Sequence, residues 1–128
     1  MSTVKHTKNF HPSTDKMMLC PCCGKGHPST AILILLEVIR AHFSAPVTIN
    51  SMCRCRKYNR EVGSKTNHSR HVCDDYDWEP DAADIVVQGV DPQVVYKYLC
   101  NLPFANLLGI GNYATFTHVD TRGRKARW

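Results

Sequence analysis

The chain has 128 residues, 43% of them hydrophobic and 21% charged, which is the balance of one globular domain. Its longest apolar run, residues 31–36, is far shorter than the roughly 20 residues of a transmembrane helix, so a membrane span is excluded. Sixteen Lys and Arg residues outnumber eleven Asp and Glu residues, and five of these acids lie within residues 74–81. The remaining surface is therefore strongly basic and suits anionic polymers. Nucleic acid is not the expected partner, because the basic residues are scattered and not interleaved with aromatic side chains.

Residues 1–28 are predicted to form an N-terminal arm with a cysteine-rich knuckle, and residues 29–128 the main domain. The knuckle contains Cys20, Cys22, Cys23 and His27, whose thiolates and imidazole are typical ligands of a structural zinc ion. The alternatives are a tight turn with buried thiols or a disulfide that forms after release. Seven cysteines without a recognisable secretion signal favour reduced thiols over a disulfide framework.

The main domain begins with a helical pattern and continues with alternating strands and helices. Ser29 or Thr30 caps a helix that ends near residues 42–45, and its wide apolar stripe predicts that it is largely buried. The stripe consists of Ile32, Leu33, Ile34, Leu35, Leu36, Val38 and Ile39. The later elements are a strand at 47–51, a short helix at 55–62, a strand at 82–87, a helix from Asp91-Pro92 to before Pro103, strands at 107–113 and 114–119, and a basic tail at 121–128 whose Trp128 packs on the sheet.

Three polar residues of the later part of the chain predict a metal site. His71, Asp84 and His118 provide two imidazoles and a carboxylate, which leave the fourth position of a tetrahedral zinc ion to water. Such an open site is catalytic, and zinc chemistry favours a hydrolase. His118 and Asp120 lie on the same face of their predicted strand, because side chains alternate along a strand. Asp120 is therefore expected beside the metal.

Four motifs of the chain resemble one enzyme family. They are Ser69-x-His71, Ala82-Ala83-Asp84-Ile85, Gly109-Ile110-Gly111-x-Tyr113 and Phe116-x-His118-Val119-Asp120-x-Arg122. The chain looks like the zinc D-alanyl-D-alanine carboxypeptidases and their bacteriophage endolysin relatives, which share their fold with the Hedgehog signalling domain. The resemblance implies an α+β fold, with a small antiparallel sheet that carries the ligands and two main helices packed behind it. It also implies that His71, Asp84 and His118 are the zinc ligands.

The resemblance implies a mechanism and a substrate as well. Arg54 matches a family arginine that engages the substrate near the scissile bond, and Ser69 contacts the substrate or orients His71. Asp120 is expected to act as the general base and to return its proton to the leaving amine, while Arg54 stabilises the oxyanion. The expected reaction is hydrolysis of a peptidoglycan stem peptide, as in cell-wall lysis by a phage endolysin. The residues leave open which bond is cut.

The chain departs from the family pattern in several places, one of which is Met52-Cys53 in place of the usual Gly-Tyr before Arg54. Asp84 follows His71 by thirteen residues, a longer spacing than is common in the family, which implies an inserted loop. Asp77 and Asp81 are the nearest alternative ligands, but Asp84 alone has the Ala-Ala-Asp-Ile context. Relatives with other specificities carry an acid three residues before the last histidine, where this chain has Thr115.

The acidic interval before Asp84 suggests a second site. Asp75, Asp77, Glu79 and Asp81 alternate like the first ligands of a calcium loop, although Pro80 stands where such a loop needs glycine. The alternative is a solvated lid over the active-site cleft.

Two other functions stay open. One is a non-enzymatic binding module that keeps zinc as structure, and the other is a basic nucleic-acid-binding zinc protein built on the knuckle at residues 20–27. The chain is expected to be a monomer. Since it lacks a hydrophobic signal region, it is expected to be made in the cytoplasm and to act on the cell wall after release.

Overall fold

The computed structural model describes residues 6–12, 15–20, 28–53 and 81–128, and the short helix predicted at 55–62 lies outside these ranges. The described part contains two helices and five strands, with short 3₁₀ turns at Lys16–Met18 and Ala105–Leu107. These elements are α1 (Thr30–Phe43), β1 (Val47–Ser51), β2 (Ala82–Val87), α2 (Pro92–Cys100), β3 (Gly109–Asn112), β4 (Thr117–Asp120) and β5 (Ala126–Arg127). None of the described helices is long and apolar enough to cross a membrane.

The five strands form one sheet in the order β1-β2-β4-β3-β5. The pairs β1–β2, β2–β4 and β4–β3 are antiparallel, whereas β5 runs parallel to β3. The predicted α+β class, with an antiparallel sheet and two helices, is confirmed. The parallel pair was not predicted, because the basic composition of residues 121–128 does not resemble a strand. Arg127 holds this segment in place through hydrogen bonds from its guanidinium to the carbonyls of Leu108 and Ala105.

Helix α1 begins and ends where its sequence predicts. The Oγ of Ser29 accepts a hydrogen bond from the backbone N–H of Ile32 at 3.2 Å, which caps the first turn. The helix is largely buried, as predicted, but two residues of its apolar stripe are exposed. Ile34 is 54% exposed and Val38 37% exposed, and both line an apolar groove beside Phe104. The apolar stripe of α1 is therefore wider than the face of this helix that packs against the sheet.

Helix α2 is capped by Asp91, whose Oδ1 accepts a hydrogen bond from the backbone N–H of Gln93 at 2.8 Å. Pro92 occupies the first helical position, where its missing N–H costs nothing. Val95 and Leu99 face the core and are buried. Helix α2 thus packs on the same side of the sheet as α1.

Alternation along the strands gives the sheet one apolar and one polar face. Ile85 of β2, Ile110 of β3 and Val119 of β4 belong to the core that the helices cover. Their neighbours along each strand, including Asp84 on β2 and His118 on β4, lie on the opposite face of the sheet. The sheet therefore separates the hydrophobic core from the polar residues of the predicted site.

The described part of the N-terminal arm packs on the domain, as predicted. Phe10, Met18 and Cys20 are at most 1% exposed and belong to the core. Asn9 fixes the arm to α1, since its backbone N–H and its side-chain amide both donate to the carboxylate of Glu37, at 2.7 and 2.6 Å.

Candidate metal centre

The register of the sheet brings two predicted zinc ligands together. Asp84 of β2 lies directly opposite His118 of β4. The Oδ1 atom of Asp84 is 2.9 Å from the Nδ1 atom of His118, and the two side chains are 11% and 10% exposed. Asp84 and His118 are separated by 34 positions in the chain, so only pairing of the strands makes them neighbours. The third predicted ligand, His71, lies outside the described residues.

The spacing of this pair fits a zinc ion. Two ligand atoms on tetrahedral zinc, each about 2.0–2.1 Å from the metal, are about 3.3 Å apart. The observed 2.9 Å therefore needs to open by only a few tenths of an ångström. Among the residues that the structure describes, no group of three His, Cys, Asp or Glu side chains is arranged to hold a metal. A zinc site here needs a ligand from the rest of the chain, where His71 lies.

The other ring nitrogen of His118 faces a second carboxylate. The Nε2 atom of His118 is 2.7 Å from Oδ2 of Asp120, and Asp120 is fully buried. Arg122 grips the same carboxylate: its Nε donates to Oδ1 and its Nη2 to Oδ2, both at 2.7 Å, and its backbone N–H lies 3.3 Å from Oδ1. Asp120 thus lies beside His118, as alternation along the strand predicted, but on the ring edge opposite Asp84.

Burial, hydrogen bonds and charges shift the pKa values of His118 and Asp120. Burial by itself lowers the pKa of His118, but the hydrogen bonds and negative charges of Asp120 and Asp84 outweigh it and hold that pKa above its ordinary value. Burial likewise raises the pKa of Asp120, but Arg122 and His118 outweigh it and hold that pKa well below its usual range. An ionised carboxylate oxygen can only accept, so whichever ring nitrogen of His118 carries a proton donates it to Asp84 or Asp120.

Two glycines of β3 make room for these side chains. Gly109 lies opposite Asp120, and Gly111 opposite His118. A Cβ atom at Gly109 would lie 2.5 Å from Nε of Arg122 and 2.6 Å from both carboxylate oxygens of Asp120, and one at Gly111 would lie 2.7 Å from Nε1 of Trp128. All of these distances are shorter than real Cβ contacts, so a larger residue at either position would displace the side chains around it.

Trp128 packs on the sheet over Gly111, as predicted. Its indole N–H donates to the hydroxyl of Tyr113 at 2.8 Å, and its ring centroid lies 4.9 Å from that of His118. The guanidinium of Arg122 lies 5.2 Å from the indole centroid. The basic tail therefore closes one side of the cluster around His118.

No role was predicted for Arg122 from the sequence, although Arg122 is the last residue of the fourth family motif. The spacing of His118, Asp120 and Arg122 could have revealed its role, because every second residue of a strand lies on the same face. The same spacing places Gly109 and Gly111 on one face of their own strand.

Several predicted site residues lie outside the described ranges. They are Arg54 and Ser69 of the substrate site, Asp75, Asp77 and Glu79 of the calcium hypothesis, and Cys22, Cys23 and His27 of the structural zinc hypothesis. Asp81 is described and mostly buried, and its backbone carbonyl accepts a hydrogen bond from the N–H of Thr121. Cys20 is described and lies in the core. Neither hypothesis gains support from these described members.

Catalytic zinc sites combine imidazole and carboxylate ligands, and Asp84 and His118 provide one of each. The model of the peptidase M15 family matches residues 11–120, so the chain belongs to that family, which is of the zinc D-alanyl-D-alanine carboxypeptidase type. The resemblance inferred from the four motifs is confirmed. No curated protein and no solved structure matches the chain significantly. The chain is accordingly a peptidase and hence a hydrolase, of a family that generally uses zinc.

Proposed function

We propose that the chain is a zinc-dependent peptidase that hydrolyses a peptide bond in the stem peptides of bacterial peptidoglycan. The observation that carries this proposal is the 2.9 Å contact between Asp84 and His118 in a chain of the peptidase M15 family. These two residues, with His71, would hold the metal. When bound, zinc polarises a carbonyl group and lowers the pKa of a coordinated water toward neutrality.

The residues of the chain then have distinct roles in the proposal. Asp84 and His118 present one oxygen and one nitrogen from adjacent strands, and the paired sheet holds them at a fixed separation. Arg54 is proposed to hold the substrate near the scissile bond, since a forked guanidinium suits a carboxylate or a developing oxyanion. Ser69 is proposed to contact the substrate or to orient His71.

The choice of peptidoglycan rests on the family and on the charge of the chain. Outside residues 74–81 the sequence has sixteen basic residues against six acids, which favours association with anionic cell-wall polymers. We further propose that the physiological role is that of a phage endolysin, which acts on the wall after release. The family membership favours this enzyme over the nucleic-acid-binding alternative.

Purified peptidoglycan provides the test. Turbidity loss and released amino groups are measured with wild type, Asp84→Asn and His71→Ala, and the zinc content of each protein is determined. The proposal expects cleavage by zinc-loaded wild type, with loss of both zinc and cleavage in the two variants. Asp91→Asn is the matched control, because an asparagine caps a helix about as well as an aspartate and Asp91 lies at the start of α2.

Each part of the proposal has its own contrary result. Zinc-loaded wild type that releases no amino groups contradicts the peptidoglycan substrate and favours the zinc-containing binding module. An Asp84→Asn variant that keeps its zinc and its activity contradicts the ligand assignment.

A further inference from the structure

We infer that Asp120 is a positioning residue, which Arg122 holds against Nε2 of His118 so that Nδ1 of His118 faces Asp84 and the metal. This inference rests on the proposed function, and it replaces the expectation that Asp120 is the general base. Arg122 is assigned a role as well, because it fixes the carboxylate that fixes the imidazole.

The hydrogen-bonding capacity of Asp120 is already used. Oδ1 accepts from Nε and the backbone N–H of Arg122, and Oδ2 accepts from Nη2 of Arg122 and from Nε2 of His118. A carboxylate offers about four acceptor sites, so these four donors fill them. The side chain is also fully buried. A general base must come within hydrogen-bond reach of the water that it deprotonates, and this carboxylate has no free acceptor for a water.

The position of Asp120 on the imidazole points the same way. Asp84 contacts Nδ1 of His118, whereas Asp120 contacts Nε2 on the opposite edge of the ring. A metal shared by Asp84 and Nδ1 therefore lies away from the carboxylate of Asp120. The side chains of Asp84 and His118 keep 11% and 10% of their surface exposed, whereas that of Asp120 is fully buried.

This arrangement has a known physical effect on metal ligands. A ligating histidine that donates its second N–H to a carboxylate is held in one tautomer and one ring orientation, and it becomes a stronger ligand. The two hydrogen bonds from the guanidinium of Arg122 hold the carboxylate of Asp120 in one orientation beside the imidazole. The 2.7 Å contact between Nε2 and Oδ2 is within the range of a charge-assisted hydrogen bond.

The decisive experiment measures zinc affinity, which does not depend on the substrate. Wild type, Asp120→Ala, Asp120→Asn and Arg122→Ala compete for zinc with a chromophoric chelator, and circular dichroism checks their folding. Loss of a carboxylate partner of a ligating histidine typically weakens metal binding about 10–100-fold, which is the result expected for Asp120→Ala. Asp120→Asn keeps the size of the side chain and one acceptor oxygen, so a smaller loss of zinc affinity is expected. This second variant still provides a measurement if Asp120→Ala does not fold. Asp91→Asn is again the matched control.

Activity at saturating zinc separates positioning from proton transfer. A positioning role predicts that Asp120→Asn recovers most of its kcat once zinc is saturating, and that Arg122→Ala weakens zinc binding although it removes no acid or base. An Asp120→Asn variant with wild-type zinc affinity and no recoverable kcat would overturn the inference and restore Asp120 as the base. Wild type that binds zinc but does not cleave peptidoglycan overturns the proposed function alone, because the zinc affinities still report on Asp120.

Discussion

Replacing Gly109 by alanine tests how tightly the carboxylate of Asp120 is enclosed. The added methyl carbon would lie 2.5 Å from Nε of Arg122 and 2.6 Å from each oxygen of Asp120, whereas a comfortable contact between carbon atoms is about 3.5–4.0 Å. One of these groups has to move by roughly 1 Å. Asp120 is fully buried and has no solvent to move into, so the displacement breaks contacts of the ion pair.

The expected cost combines two effects. Overpacking of a well-packed site costs about 1–3 kcal/mol, and disruption of a buried ion pair costs about 3–5 kcal/mol when one partner is lost entirely. Arg122 is 19% exposed and can relax in part, so the pair is weakened and not abolished. We expect the free energy of unfolding to fall by about 2–4 kcal/mol and the Tm by roughly 10 °C.

Urea denaturation of wild type and Gly109→Ala measures this change. Asn112→Ala is the matched control, because Asn112 is exposed on the same strand and its substitution is expected to cost no more than about 0.5 kcal/mol. Equal stability of the two variants would refute the reasoning about enclosure. Zinc affinity measured on the same samples is expected to fall with Gly109→Ala, since the displaced carboxylate no longer orients His118.

Two further outcomes are expected. Gly111→Ala is expected to push the indole of Trp128 off the sheet and break its hydrogen bond to Tyr113, which a change in tryptophan fluorescence would report; an unchanged spectrum contradicts the close packing. Burial by itself raises the pKa of Glu37, but the hydrogen bonds that Asn9 donates to this carboxylate outweigh burial and lower its pKa in the folded state. Glu37 therefore stabilises the fold at pH values above its ordinary pKa near 4.3, and this stabilisation is lost as the pH falls through the folded-state pKa. Wild type is therefore expected to be more stable than Glu37→Gln at pH 7 and to lose this advantage in acid, as the pH falls through the folded-state pKa of Glu37. A stability difference that stays constant throughout an acid titration would show that the charge of Glu37 is irrelevant.

Local chemistry made much of the fold predictable. Ser29 and Asp91 cap helices α1 and α2 because their side-chain oxygens reach backbone N–H groups only two or three residues away. The strands at residues 47–51 and 82–87 have the predicted bounds. The strand predicted at 107–113 is shorter, and the one predicted at 114–119 begins only at Thr117, because Tyr113 and Phe116 stack across the turn that joins β3 and β4.

Part of the candidate site was also predictable from the sequence, and part depends on the pairing of the strands. Alternation along the strand placed His118 and Asp120 on one face, and the resemblance of Ala82-Ala83-Asp84-Ile85 to the family motif selected Asp84 as the ligand that accompanies His118. The contact between Asp84 and His118, the two edges of the imidazole and the enclosure by Arg122 depend on which strands pair and in which register. The sequence therefore determined which side chains are candidates for the chemistry, since that depends on residue type and on spacing within one element. Only the tertiary structure decided that Asp120 and Asp84 face different nitrogens of His118, because that arrangement arises between strands distant in the chain and is stabilised by the packing of the whole sheet.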